Sequence, residues 1–188
     1  MISPTALSRV LPPLALLLAT PAVRAQTPGQ APGHAGKAPA AISPAAAQLE
    51  KLKSLAGTWS GKASHGDAPA HDATTVFRVT GGGSAVVETL GPGTPHEMVT
   101  VYHLDGDQLV LTHYCAAGNQ PTMQALPSKD PAVIAFDFVR GSNMKPGDMH
   151  MHSARLVLAG EDRLEGEWVS WVGGKPAGSV RFSLTRQK

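Results

Sequence analysis

Between residues 58 and 186, apolar and polar side chains alternate in short runs, and the runs are broken by Gly, Pro, Asp or Asn. Few folds accept that pattern. Alternation of period two sends successive side chains to opposite faces of a pleated strand. Gly, Pro, Asp and Asn are the residues of turns. The runs predict strands at about 58–64, 73–80, 84–90, 96–104, 108–115, 120–126, 132–139, 149–159, 163–172 and 177–186. The breaks at Gly81-Gly82-Gly83, Asp105-Gly106-Asp107 and Gly160-Glu161-Asp162 suit hairpins between antiparallel neighbours. Strands joined in this way make one meandering sheet, which leaves two bare edges unless it closes. The expected fold is all-β: an antiparallel up-and-down β-barrel of about 8–10 strands with a short N-terminal helix. A sandwich needs longer crossovers, and the longest non-strand pieces lie near 65–72, 91–95 and 140–148.

The chain ahead of the strands has a different character. Arg9 precedes an apolar stretch from Val10 to Ala19, and Val23-Arg24-Ala25 offers a small-residue cleavage site before Gln26. Residues 1–25 therefore read as a secretory signal peptide. The apolar stretch falls well short of the ~20 residues of a membrane span, and Pro12, Pro13 and Pro21 interrupt it. The expectation is export to the periplasm or the extracellular space, with no membrane span. Cleavage removes Arg9 and Arg24, so 16 basic residues become 14, against 14 acidic ones. A neutral chain lacks the charge signature of a nucleic-acid binder. The single cysteine excludes a disulfide framework and a four-cysteine zinc module.

Residues 26–47 contain 15 Ala, Pro or Gly among 22, and one charge, Lys37. Such a segment buries too little surface to offset its ordering entropy, so a disordered linker is expected, with His34 solvated. From Gln48 onward, Leu49, Leu52 and Leu55 mark one face of a short helix that Gly57 stops. The barrel domain is placed at 48–188.

The helix followed by Leu55-Ala56-Gly57-Thr58-Trp59 resembles the start of a lipocalin-type (calycin) barrel, which opens with Gly-x-Trp at its closed end. The order of elements is similar to lipocalins, fatty-acid-binding proteins and the nitrobindin-like haem barrels. The resemblance implies a core role for Trp59, with Arg186 near the end of the last strand packed over it. It also implies a small-molecule ligand inside the barrel. The nitrobindin likeness adds haem, held by one interior histidine.

Period-two reading sorts the candidate site residues. Leu109, Leu111, His113 and Cys115 share a face, as do His150, His152, Ala154, Leu156 and Leu158. Phe77, Val79, Ile134, Phe136, Phe138, Val180, Phe182 and Leu184 are expected to point inward, and Glu88 follows Val86 and Leu90 to the inside. Polar residues gather toward strand ends. Glu88, His113, Cys115, Asn119, Gln120, Asn143, His150 and His152 are therefore expected to line an interior site for a small molecule. Trp168 and Trp171 fall on opposite faces.

Two other chemistries compete. His113-x-Cys115 and His150-x-His152 each carry two donors on one face, about 6.6 Å apart along the strand. Imidazole with thiolate suits zinc or copper. An enzyme would use Cys115 as nucleophile, with His96 or His150 as base and Glu88 or Glu97 in acid–base roles. The same-face spacing of His113 and Cys115 exceeds hydrogen-bond reach.

Overall fold

The computed structural model describes residues 42–188. The expected signal peptide and most of the expected linker lie outside the described residues. Helix α1 spans Pro44–Ser54. Ten strands follow: β1 (Gly57–His65), β2 (His71–Thr80), β3 (Ala85–Leu90), β4 (Met98–Asp105), β5 (Gln108–Tyr114), β6 (Gln120–Ala125), β7 (Val133–Ser142), β8 (His150–Leu158), β9 (Arg163–Val172) and β10 (Lys175–Arg186). Each pairs antiparallel with its sequence neighbours, and β10 pairs with β1, so the sheet closes into a barrel. The expected strands differ from these by at most three residues, the largest difference being the longer β7. The β2–β3 turn runs through Gly81–Gly83, with φ of 61°, 64° and 92°. A run of left-handed residues admits glycine and little else.

The two ends of the barrel differ. At the end where β1 begins, α1 packs against β2 to β5. It inserts Ala45, Leu49 and Leu52 beneath the strands, and Leu55 follows them. At the other end the 66–70, 91–97, 115–119, 143–149 and 173–174 connections surround a mouth. Among the described residues no helix is long and apolar enough to cross a membrane.

The helix starts four residues earlier than expected. Ser43 caps it, its Oγ accepting from Ala46 N–H at 3.2 Å, and Pro44 occupies the first turn. Ala45, placed in the linker on composition, is buried. Chains 42–188 and 48–188 should therefore differ in stability, the shorter losing about 1–2 kcal/mol with the cap and first turn. Equal chemical-denaturation midpoints would contradict this.

Register fixes which side chains meet inside. Trp59, Gly61 and Ala63 on β1 stand opposite Arg186, Leu184 and Phe182 on β10. Gly61 is required there, because a Cβ would strike the Ser183 carbonyl and the Leu184 Cα across the closing pair of strands. Phe182 lies over Gly166 of β9, in the space a side chain would otherwise fill. In the helix-capped half Phe77, Val86, Leu109, Leu111, Ile134, Phe136, Leu156, Leu164 and Leu184 are buried. Val79, expected inside, is exposed: it sits near the end of β2, beside the glycine turn.

Candidate functional site

A belt of polar side chains crosses the barrel interior at mid-height. Glu88, Thr100 and His113 are direct cross-strand neighbours on β3, β4 and β5. Glu88 is 1% exposed. It accepts from Tyr102 Oη–H at 2.6 Å on Oε2 and from Thr75 Oγ1–H at 3.2 Å on Oε1. Thr75 Oγ1 also lies 3.0 Å from the Thr89 carbonyl. Burial pushes the Glu88 carboxyl up to about 7 from its ordinary 4.5, although both hydroxyls oppose the shift. Burial likewise raises the Tyr102 phenol, and the Glu88 charge adds to it.

His113 is also 1% exposed. Its Nδ1 lies 2.9 Å from Thr100 Oγ1. Its ring packs on Trp168 at 4.7 Å between centroids. Burial lowers it to about 4, so the imidazole is neutral at neutral pH. Its Nε2 and the Trp168 Nε1–H are both sealed from solvent and have no hydrogen-bond partner. A buried polar atom without a partner is costly. These two mark the one part of the belt whose hydrogen bonds are incomplete.

Above the belt the inward-facing side chains turn apolar. Ala73, Leu90, Met98, Phe138, Val180 and Phe182 point inward by register and are partly exposed. They form an apolar, cup-shaped lining with the belt beneath it.

The remaining predicted site residues divide between the mouth and the rim. Asn119 is 4% exposed and donates from Nδ2 to the Met149 carbonyl at 2.6 Å, while its Oδ1 has no partner. Cys115 is a free, partly exposed thiol just beyond β5, where its N–H bonds the Asn119 carbonyl. Gln120 and Asn143 do not line the interior. Both donate to the Gly118 carbonyl, and Gln120 Oε1 accepts from Ser142. They stitch the mouth loops together, and Asn143 takes a left-handed φ of 55° to do so.

His150 and His152 form a hydrogen-bonded pair, Nε2 to Nδ1 at 3.0 Å. The two stay together but leave the face of Ala154 and Leu156, because a register shift falls between Met151 and Ser153: His150 stands opposite Trp171, and Met151 packs against the core instead. It lies flat on Trp171, centroids 3.7 Å apart and planes 8° apart, and Phe138 packs on both imidazoles. Of the two tryptophans, Trp168 is buried and Trp171 only partly covered.

The four donors His113, Cys115, His150 and His152 are not gathered around one point. Among the described residues no three His, Cys, Asp or Glu side chains converge as a zinc or copper site needs. Iron, like any other ligand, would reach His113 Nε2 only if Trp168, which packs on the imidazole and seals it, turned aside. Nor does an interior nucleophile–base pair appear among the hydrogen bonds of His113 or His150.

Sequence reading found Glu88 and His113 and missed Thr75, Thr100, Tyr102 and Trp168, which complete the belt. The face was legible for each. Their pairing was not, since it depends on register across loops of unequal length.

No protein-family model matches the chain, and no curated protein does. Solved structures do. A protein of unknown function from the DUF3598 family of Nostoc punctiforme superposes with a TM-score of 0.51 at 13% identity, over 72% of this chain. The chain spans about half of that protein's length, 49%. Rv2717c from M. tuberculosis superposes with a TM-score of 0.50 at 20% identity, covering 78% of this chain and 99% of the other. At such identities the likeness is one of fold: a closed antiparallel ten-stranded barrel.

Proposed function

We propose that this is an exported, lipocalin-like barrel that takes one small, mainly apolar molecule into its cup, polar end down. The observation that carries the reading is the set of inward-facing apolar side chains left partly exposed above the floor. Small-molecule sites are apolar concavities with a few fixed polar groups. Here the fixed groups are His113 Nε2 and Trp168 Nε1, which a ligand's hydroxyl or carbonyl reaches once the Trp168 ring turns aside. Export rests on the signal pattern of residues 1–25.

Uptake of 1-anilinonaphthalene-8-sulfonate by the mature chain, read by fluorescence and native mass spectrometry, tests this. One probe per chain is expected. Val180→Asp places a carboxylate in the cup, which repels the probe's sulfonate, and should weaken uptake at least tenfold. A His113→Leu variant should leave the probe bound but weaken ligands bearing a hydroxyl. Absence of uptake, or equal uptake by Val180→Asp, would overturn the cup.

A further inference from the structure

The barrel wall is not continuous at its open end. The β7–β8 ladder runs from Val133↔Val157 to Asp137↔Ser153 and stops. Beyond it β7 continues to Ser142 along β6 alone, and the first residues of β8 pair with β9 alone. Side chains close the resulting slit. Phe138 comes from one bank, and His150, His152 and Trp171 come from the other.

The protons on the two imidazoles have a fixed direction. His150 Nδ1 lies 2.9 Å from the Asp148 carbonyl, which only accepts, so Nδ1 carries the hydrogen. In the neutral ring Nε2 is then a lone pair, and the bond at 3.0 Å requires His152 to donate from Nδ1. This leaves His152 Nε2 as a lone pair facing Asp137 Oδ1 at 3.7 Å. The pair can accept one proton there without breaking its own hydrogen bond. A second proton must go to His150 Nε2, where it meets the N–H of His152.

We propose that the slit between β7 and β8 is a lateral portal, latched by the His150–His152 pair while it carries fewer than two protons. With two, the rings are adjacent cations with opposed N–H groups, and one must leave the stack. The surroundings do little to hold the second charge. Among the described residues, the charged group facing the pair is Asp137 of β7. The Asp148 carboxylate is turned to Lys145 N–H, β9 presents the uncharged Trp171, and Asn119 engages the backbone at Met149. Burial lowers the proton affinity of His152, Asp137 acting against it and the neighbouring His150 adding to it. The second proton on the pair is opposed by the first, one hydrogen bond away, so opening falls on the acid side of the histidine range. As an entrance for ligand the portal rests on the cup reading, but its opening is measured without any ligand.

Amide hydrogen exchange of the mature chain between pH 7.5 and 4.5, corrected for intrinsic rates, provides the test. Protection at residues 138–141 and 150–152 should fall at least tenfold on acidification, while protection at Tyr102 and Leu156 in the capped half persists. Imidazole nitrogen shifts should show the hydrogen on Nδ1 of both rings at neutral pH. His150→Phe keeps a ring in the slit and should abolish the acid step. Asp137→Asn should move its midpoint to lower pH. Protection that is flat with pH, that falls uniformly over the barrel, or that falls equally in His150→Phe overturns the latch. A working latch with no probe uptake would leave it standing and remove only the cup.

Discussion

Replacing Trp59 by Ala should lower stability by about 3–5 kcal/mol, the usual range for a large core aromatic. The indole is fully buried where α1 meets β1. Its Nε1–H donates to the Leu55 carbonyl at 2.7 Å, so truncation also strands an acceptor at the helix end. Arg186 lies over the ring at 4.3 Å, as the lipocalin resemblance implied. Its guanidinium donates to the carbonyls of Ala56 at 2.7 Å and Ser54 at 2.8 Å, just past the last turn of α1. Those carbonyls lack intrahelical partners, and a cation there also meets the negative end of the helix dipole. Trp and Arg thus hold one joint between cap and barrel. In thermal denaturation Trp59→Ala should lower the Tm by roughly 10 °C, at a few degrees per kcal/mol for a domain of this size. The double variant with Arg186→Ala should cost less than the sum of the singles, because each removes the other's partner. A Trp59→Ala chain that melts within about 2 °C of the parent would refute the joint.

Period two made the strands legible because burial on one face repeats along every run. It identified Glu88 and His113 as interior residues for the same reason. Parity fails where one residue is inserted. The shift between Met151 and Ser153 rotates His150 and His152 out of the sequence-predicted face, and nothing in His150-Met151-His152 signals it. The start of α1 was hidden differently. Ser43-Pro44 is a cap and first turn, but it sits in a run of Ala, Pro and Gly whose composition speaks for disorder. Partners were the least legible. Tyr102 reaches Glu88 only because the β3–β4 connection sets Val86 opposite Tyr102. The same is true of the wall's interruption, since the sequences of β7 and β8 do not record where their ladder ends.

The belt should contribute almost no net pH dependence to stability in mildly acidic solution, and single substitutions should expose two steep opposing slopes. Glu88 is held up to about 7 against an ordinary 4.5, so between those values the folded chain binds a proton that the unfolded chain releases. Its contribution is fully present below pH 4.5 and is lost as pH rises through 7, about 3 kcal/mol in all. His113 is held down to about 4 against an ordinary 6.5, so there the unfolded chain binds the extra proton. Its contribution is present above pH 6.5 and is lost as pH falls through 4, by a similar amount. From pH 4.5 to 6.5 the folded belt carries one proton, on Glu88, and the unfolded chain carries one, on His113. The two slopes cancel. Glu88→Gln should leave a chain that gains about 3 kcal/mol between pH 4 and 6.5. His113→Gln should leave one that loses about 3 kcal/mol between pH 4.5 and 7. Urea denaturation at intervals of half a pH unit, with each variant compared with the parent at the same pH, isolates the two terms from every other titrating group. If both variants keep the parent's pH dependence, Glu88 and His113 are not the neutral buried pair that this packing makes them.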